Sequence, residues 1–345
     1  MTERVSDIGE FGLIRRINDL VNREGIRSEQ VTLGIGDDTA AFLPRLGYEL
    51  LITCDCIVEG RHYLPEYIHP SDLGRRAMVV NISDIGAMGG KPLYALISLG
   101  LKAETSVQYV EEIYRGFLLE LNPFGASIIG GNITKSGNGM FIDITLVGEV
   151  DQGKAVRRSG ARPGDVILVT GYPGQSAAGL QLLLHEPEDS KIKEHPLVRI
   201  YNIPSHRAKL GEAIAQTGCA SAMIDTSDGF LGDLGHICEE SRVGAELFKE
   251  RLPISKPLQE AALKLHRDPY DFFLGESDDY ELIITCRPQD VDRIRSSVSQ
   301  CCPVSLAEVG RITGDTGEIF LLLSDGTKQP VKPSGWDHFR KDHGQ

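Results

Sequence analysis

Three apolar runs in this chain lead into short turns that carry aspartate among Gly, Ser or Thr, and this pattern constrains the fold more than any other feature. Val31 to Ile35, Glu49 to Thr53 and Ala222 to Ile224 read as strands, the first two as buried ones. They run into G-I-G-D-D (Asp37, Asp38), T-C-D (Asp55) and D-T-S-D-G (Asp225, Asp228). Open α/β sheets bind ligands at the carboxyl ends of their strands, so the spacing predicts Asp37, Asp38 and Asp55 at one mouth. A fourth acidic motif, N-I-S-D with Asp84, lies in a helical pattern that Ser71 or Asp72 can cap and that ends at Ala87.

The residue types in these turns point to magnesium and phosphate. Mg²⁺ prefers oxygen ligands and needs only one or two carboxylates, with waters and substrate phosphate completing its shell. A carboxylate-rich, imidazole-poor set therefore favours Mg²⁺ over zinc. Aspartate is also common in such turns because it caps helices and forms Asx turns, so the case rests on the four motifs together. The formal net charge of −13 excludes a basic stripe for nucleic acid or an anionic membrane. An anionic substrate must then be recruited by metal ions and local Arg or Lys.

With 345 residues, 41% apolar and 25% charged, the chain exceeds a single-core size and reads as two α/β domains, 1–151 and 152–345. Ile8, Phe11, Ile14, Ile17 and Val21 mark an opening amphipathic helix, Pro92 to Leu101 a strand, and Ser106 to Leu121 a second helix. Ala126 to Ile129 reads as a strand entering a glycine-rich turn, Gly130-Gly131-Asn132-Ile133-Thr134, and Met140 to Val150 as another strand before the boundary. Beyond it, the spacing predicts a strand over Val166 to Thr170, a helix from about Gln175 to Leu184, and a helix after Gly229 that runs to about Ser241. The segments V-V-N-I-S-D-I-G-A-M-G and A-M-I-D-T-S-D-G-F-L-G share an S-D pair after apolar residues and hint at a duplicated unit. Seven cysteines without a C-x-x-C pair read as reduced thiols, and no apolar run approaches the ~18 residues of a membrane span, so the expected location is the cytoplasm.

Neither a P-loop nor the protein-kinase motif set is present, so a bound nucleotide needs another cradle. Gly130 and Gly131, with Gly137 and Gly139 nearby, can expose backbone N–H groups to phosphate, although a plain hairpin explains them equally well. Ser227 and Asp228 precede a helix, so their amides can hold phosphate while Asp225 and Asp228 hold its metal; an ordinary capped helix is the alternative. Arg157 and Arg158 offer a guanidinium clamp, and His62 follows Asp55 by seven residues.

In order along the whole chain, G-E-F-G-L-I, G-I-G-D-D, C-D-C-I-V-E-G-R-H-Y, N-I-S-D-I-G-A-M-G, R-S-G-A-R-P-G-D, S-A-A-G-L, I-D-T-S-D-G-F and G-W-D-H-F resemble the thiamine-monophosphate kinase family. The resemblance implies the two-domain aminoimidazole-ribonucleotide synthetase-like α/β fold, with N-terminal sheets paired across a homodimer. It also implies ATP- and Mg²⁺-dependent phosphorylation of thiamine monophosphate to thiamine diphosphate. Carried over residue by residue, it assigns metal to Asp37, Asp38, Thr53, Asp55, Asp84, Asp225 and Asp228. ATP falls to Gly131, Asn132, Arg158 and Ser227, and thiamine phosphate to His62, Asp278 and Trp336. No side chain is expected as a nucleophile.

Three motifs depart from the family's usual forms. Its G-G-D-T is Gly130-Gly131-Asn132-Ile133, its T-D-T is Cys54-Asp55-Cys56, and its G-G-E-D-Y-E-L is Glu276-Ser277-Asp278-Asp279-Tyr280-Glu281-Leu282. The first puts a neutral amide at a metal or phosphate ligand. Two further readings stay open: a thiamine-phosphate-binding protein without turnover, and another ATP-using synthetase of the same fold.

Overall fold

The amphipathic repeat near the N-terminus forms helix α1 (Val5–Glu24), which buries Ile17 and Val21 of that repeat together with Leu13 and Leu20, while Phe11 stands exposed. In this computed structural model, residues 3–36, 39–188 and 191–333 are described. They form two units, one running to Gly86 together with Gly90–Ala155, the other comprising Ala87–Gly89 and the chain from Val156.

In the first unit, β1 (Val31–Leu33) pairs with β2 (Ala41–Phe42) as a two-stranded ribbon. The expected buried strand is instead half-buried at Val31 and exposed at Thr32 and Leu33, because so short a ribbon brings no apolar layer over both faces. Then follow β3 (Tyr48–Val58), α2 (Pro70–Ala87), β4 (Lys91–Leu101), α3 (Val107–Leu121), β5 (Ser127–Lys135) and β6 (Phe141–Asp151). Ser106 caps α3, its side chain accepting from the Tyr109 amide at 3.1 Å.

The four longer strands pair in the order β3-β6-β4-β5, antiparallel except for β4 with β5. Two sequence expectations change here. Asp55 lies inside β3 and not at its end, since pairing with β6 continues through Asp55↔Ile144 to Val58↔Phe141. The glycine-rich segment Gly130 to Thr134 is strand and not turn, held parallel to β4 from Leu96↔Gly130 to Gly100↔Thr134. Gly131 has φ +156°, and a Cβ there would stand 2.0 Å from the Ile97 carbonyl oxygen, so the glycine serves close strand approach.

The second unit contains β7 (Val166–Thr170), α4 (Gln175–His185), α5 (Pro196–Asn202), α6 (Ala208–Thr217), β8 (Ala220–Asp225), α7 (Phe230–Ser241) and β9 (Gly244–Phe248). It continues with α8 (Lys256–Lys264), α9 (Pro269–Leu274), β10 (Leu282–Cys286), α10 (Val291–Cys301), β11 (Leu306–Thr313), β12 (Ile319–Leu322) and β13 (Lys328–Val331). Its strands order as β13-β12-β9-β11-β7-β10-β8, antiparallel apart from β9 with β12.

Every residue of β7 is buried because its alternate side chains enter two separate cores. Ile167 and Val169 pack with Phe230, Leu234 and Phe273 on one side. Leu168 packs with Leu210, Ile214 and Ile294 on the other. The hinted duplication is not structural: V-V-N-I-S-D-I-G-A lies within α2, whereas A-M-I-D-T-S-D-G-F-L-G is strand, turn and helix. Period-2 and period-3.6 segments can share a short motif without sharing a conformation. Among the described residues, no helix is long and apolar enough to cross a membrane.

Candidate functional site

In the first unit, strand alternation sorts the candidate residues by face. Thr53 and Asp55, two residues apart on β3, share the face that meets α2. The Thr53 hydroxyl donates a short hydrogen bond to the Asp84 carboxylate, and the Asp55 amide donates to Asn81 Oδ1 at 3.2 Å. Asn81 is itself held by donating to the Ala77 carbonyl at 3.2 Å. Thr53, Asp55 and Asp84 are thus brought to one strand–helix contact, with oxygen donors on both elements.

Cys54 and Cys56 project from the opposite, exposed face of β3. The register carries that face across the sheet, from Cys56 to Asp143, to Ser98 and to Asn132. Asn132 therefore belongs to the face of Asp143, while Gly131 aligns with Ile97, Ile144 and Asp55. His62 sits in the turn after β3, where Nδ1 accepts the Val58 amide at 2.9 Å, so a neutral ring carries its proton on Nε2.

In the second unit, the D-T-S-D-G turn and the segment Glu276 to Leu282 form one hydrogen-bonded body. Leu282 pairs with Asp225 where β10 meets β8. The Thr226 amide donates to the Glu281 carbonyl at 2.7 Å, the Tyr280 amide to the Thr226 carbonyl at 2.9 Å, and the Glu281 amide to Thr226 Oγ1 at 3.0 Å. Gly229, at φ +116°, lets the turn pass so close to Gly275 that a Cβ would meet its carbonyl oxygen at 2.3 Å. Asp225 is buried and Asp228 half-buried in this body.

Of the two amides expected to hold phosphate, that of Asp228 is already engaged. Asp233, in the first turn of α7 and only 1% exposed, accepts the Asp228 and Gly229 amides at 3.1 Å each. Burial first, and then the charges of Asp225 and Asp228, push the Asp233 carboxyl up to about 8. Ligand atoms of Asp228, Asp233 and His236 lie within 4.8 Å of one another.

Asp278 is tied to the start of α4, where its carboxylate accepts the Ser176 hydroxyl. Next to it, buried Asp279 accepts the Gly174 amide at 2.6 Å, the Ser176 amide at 2.8 Å and the Ser277 hydroxyl at 2.6 Å, satisfying the helix's leading donors. Ser277 Oγ also accepts the Ala177 amide at 3.1 Å. Glu281 receives both nitrogens of a fork from Arg207, at 2.6 and 2.5 Å, and the Thr170 hydroxyl at 2.5 Å.

Sequence reasoning missed Asn81, Asp233, Arg207 and Glu281 as residues that hold the site together. An acidic residue in the first helical turn after D-T-S-D-G was a readable signal for Asp233. Nothing local marks Arg207 as the partner of a carboxylate 74 positions away.

Arg158 lies apart from the D-T-S-D-G turn along the edge of β8. Arg157 accepts the Met223 amide through its carbonyl, and Ser241, at the far end of α7, donates to the Arg158 carbonyl at 3.3 Å, leaving the Arg158 side chain exposed. Ser227 is half-buried within the turn. Asp37, Asp38 and Trp336 lie outside the described residues.

The donor set fits a hard divalent cation. Thr53, Asp55 and Asp84 offer hydroxyl and carboxylate oxygens on one face, and the Asp233 carboxyl, raised first by burial and then by the charges of Asp225 and Asp228, stands where a bound cation would offset those charges.

Comparison with known proteins adds to this geometry. Residues 36–150 match the AIR synthase related protein N-terminal domain, and residues 162–322 the AIR synthase related protein C-terminal domain. The chain is 36% identical over 336 residues to thiamine-monophosphate kinase of Aquifex aeolicus strain VF5, covering 97% of this chain and 100% of that protein. It is similar to the crystal structure of thiamine-monophosphate kinase from Stenotrophomonas maltophilia K279a, with TM-score 0.78 and 31% identity, covering 92% of this chain and 97% of the other. It is also similar to the solved structure of AaThiL complexed with AMPPCP and TMP, with TM-score 0.73 and 35% identity over 98% of this chain and 100% of the other.

Proposed function

Because this chain belongs to the thiamine-monophosphate kinase family of AIR synthase related proteins, we propose that it transfers the γ-phosphoryl group of ATP to thiamine monophosphate, giving thiamine diphosphate. The observation that carries the reading is the full-length likeness to a solved relative complexed with an ATP analogue and TMP, joined to oxygen-rich candidate sets in both units.

In this reading, Thr53, Asp55 and Asp84, with Asp37 and Asp38, would hold Mg²⁺ in the first unit, and Asp225 and Asp228 would do so in the second. When bound, the ion neutralises phosphate oxygens as charge develops on them. The chain's own task is positioning. Thr53 is oriented through its bond to Asp84, and the Asp55 backbone is pinned to α2 through Asn81. The acceptor is already a phosphate monoester whose oxygen needs little proton removal, so neither a general base nor a side-chain nucleophile is required.

Gly131, Asn132, Arg158 and Ser227 are assigned to ATP, and His62, Asp278 and Trp336 to thiamine phosphate. His62 would present Nε2–H as a donor, because its Nδ1 is engaged by Val58. Asp278, whose carboxylate accepts the Ser176 hydroxyl, would present its negative charge to a cationic or N–H group of the thiamine rings.

ADP release coupled to NADH oxidation tests the reading. We expect release that requires both Mg²⁺ and thiamine monophosphate and stops with chelator. Binding of Mg²⁺·ATP and thiamine monophosphate without ADP release would replace the kinase with a binding protein. Release driven by another acceptor alone would favour a synthetase of the same fold.

A homodimer completes the proposal. Leu50, Ile52 and Leu96 are 42%, 69% and 37% exposed on the sheet face that carries Cys54 and Cys56, a run of apolar surface that a second copy of the sheet covers. Light scattering is expected near ~75 kDa, about twice the 37.7 kDa chain. A chain that stays fully active as a monomer at micromolar concentration sinks this part.

A further inference from the structure

Resting on the kinase reading, we propose that Asp233 is a positioning residue for the D-T-S-D-G turn, whose single oxygen fixes two backbone amides and thereby aims Ser227 and the Asp228 carboxylate. Both amide bonds, from Asp228 and from Gly229, end on the same atom, Oδ2, at 3.1 Å. The turn is closed from the other side as well, since Gly229 lies against the Gly275 carbonyl and Thr226 is bonded into Tyr280 and Glu281.

Remove the acceptor, and two helix-start amides, that of Gly229 buried and that of Asp228 half-buried, must find another oxygen. The nearest carboxylate by sequence is that of Asp228 itself, which would then fold back on the helix start and be withdrawn from a cation. Asp233 thus decides whether Asp228 serves the ligand or its own helix.

A single accepting oxygen is enough for this task, and a side-chain amide has one. Charge is not what the role needs. The geometry therefore ranks the substitutions in an order that a metal-ligand role reverses. Asp233→Asn keeps the oxygen in place and loses the ability to ionise; Asp233→Glu keeps an ionisable carboxyl and displaces the oxygen by a methylene; Asp233→Ala loses both.

The test is Mg²⁺-dependent binding of AMPPCP by calorimetry, read beside the half-saturating Mg²⁺ of ADP release and the melting temperature. Asp233→Asn is expected within about twofold of wild type in both Mg²⁺ readouts, and Asp233→Ala weakened about tenfold or more. If Asp233→Ala does not fold, Asp233→Glu takes its place and is expected to be weakened while Asp233→Asn is not. A variant order in which Glu outperforms Asn assigns Asp233 to the metal by charge and overturns the proposal, as does wild-type binding by Asp233→Ala. Should wild type bind Mg²⁺·AMPPCP with the expected variant order yet release no ADP, the kinase reading fails and the positioning role stands. No Mg²⁺-dependent AMPPCP binding by wild type removes both.

Discussion

Asp55→Asn and Asp228→Asn are each expected to lower turnover by several hundredfold or more while the fold is retained. Asparagine has the shape of aspartate and keeps an oxygen acceptor, so local packing survives. What is lost is the negative charge that holds a cation against phosphate, and such transition-state compensation is worth about 3–4 kcal/mol. Asp55 is half-buried on β3, with its backbone already tied to Asn81, so the substituted side chain has little freedom to rearrange. Asp228 stands on a turn fixed from three sides. Circular dichroism and melting curves establish that both variants fold, and the coupled ADP assay reads the loss. Turnover near wild type in both, with Mg²⁺ still required, would remove these aspartates from the site.

Arg207→Met is expected to be the most damaging single change to the second unit's stability among those considered. Its guanidinium forks onto Glu281, whose side chain is only 5% exposed against 20% for Arg207, and the same carboxylate takes the Thr170 hydroxyl. Cutting one partner from such a pair leaves a charge stranded in low dielectric, at about 3 kcal/mol when part of the pair still reaches solvent. For a unit of this size that corresponds to a melting-point drop of about 6–12 °C. The double variant Arg207→Met with Glu281→Leu is expected to recover part of the loss, because no buried charge is left behind. A double variant that melts no higher than Arg207→Met alone shows that the pair acts by some other means. Because Glu281 also carries the backbone bonds to Thr226, Arg207→Met should weaken Mg²⁺·AMPPCP binding as well as stability.

Elements whose chemistry is local were legible before the structure. The helix α1, the helix α3 and the strand β7 appear close to where periodicity puts them. The glycine-rich segment was misread for a physical reason. Glycine marks both a turn and a close backbone approach, and only the Ile97 carbonyl against Gly131 decides which. Asp55 was placed at a strand end because the polar Thr53 and Asp55 interrupt the apolar run. The ladder to β6 continues through Cys56, Ile57 and Val58, since backbone pairing tolerates a polar residue on one face.

The sequence by itself determined the inventory: which oxygen donors exist, that they sit among residues able to turn or cap, and that imidazole is scarce in those turns. Only the tertiary structure decided which donors are already engaged. Asp84 is bonded to Thr53, Asp279 takes the first amides of α4, and Asp233 takes the Asp228 amide that the turn's spacing had offered to phosphate, together with that of Gly229. It also decided faces, setting Asp55 and Asn132 on opposite sides of one sheet through register across four strands. Periodicity encodes how a segment divides its own side chains between two faces; which segment it meets, and at what register, is fixed by hydrogen bonds and packing between residues tens of positions apart.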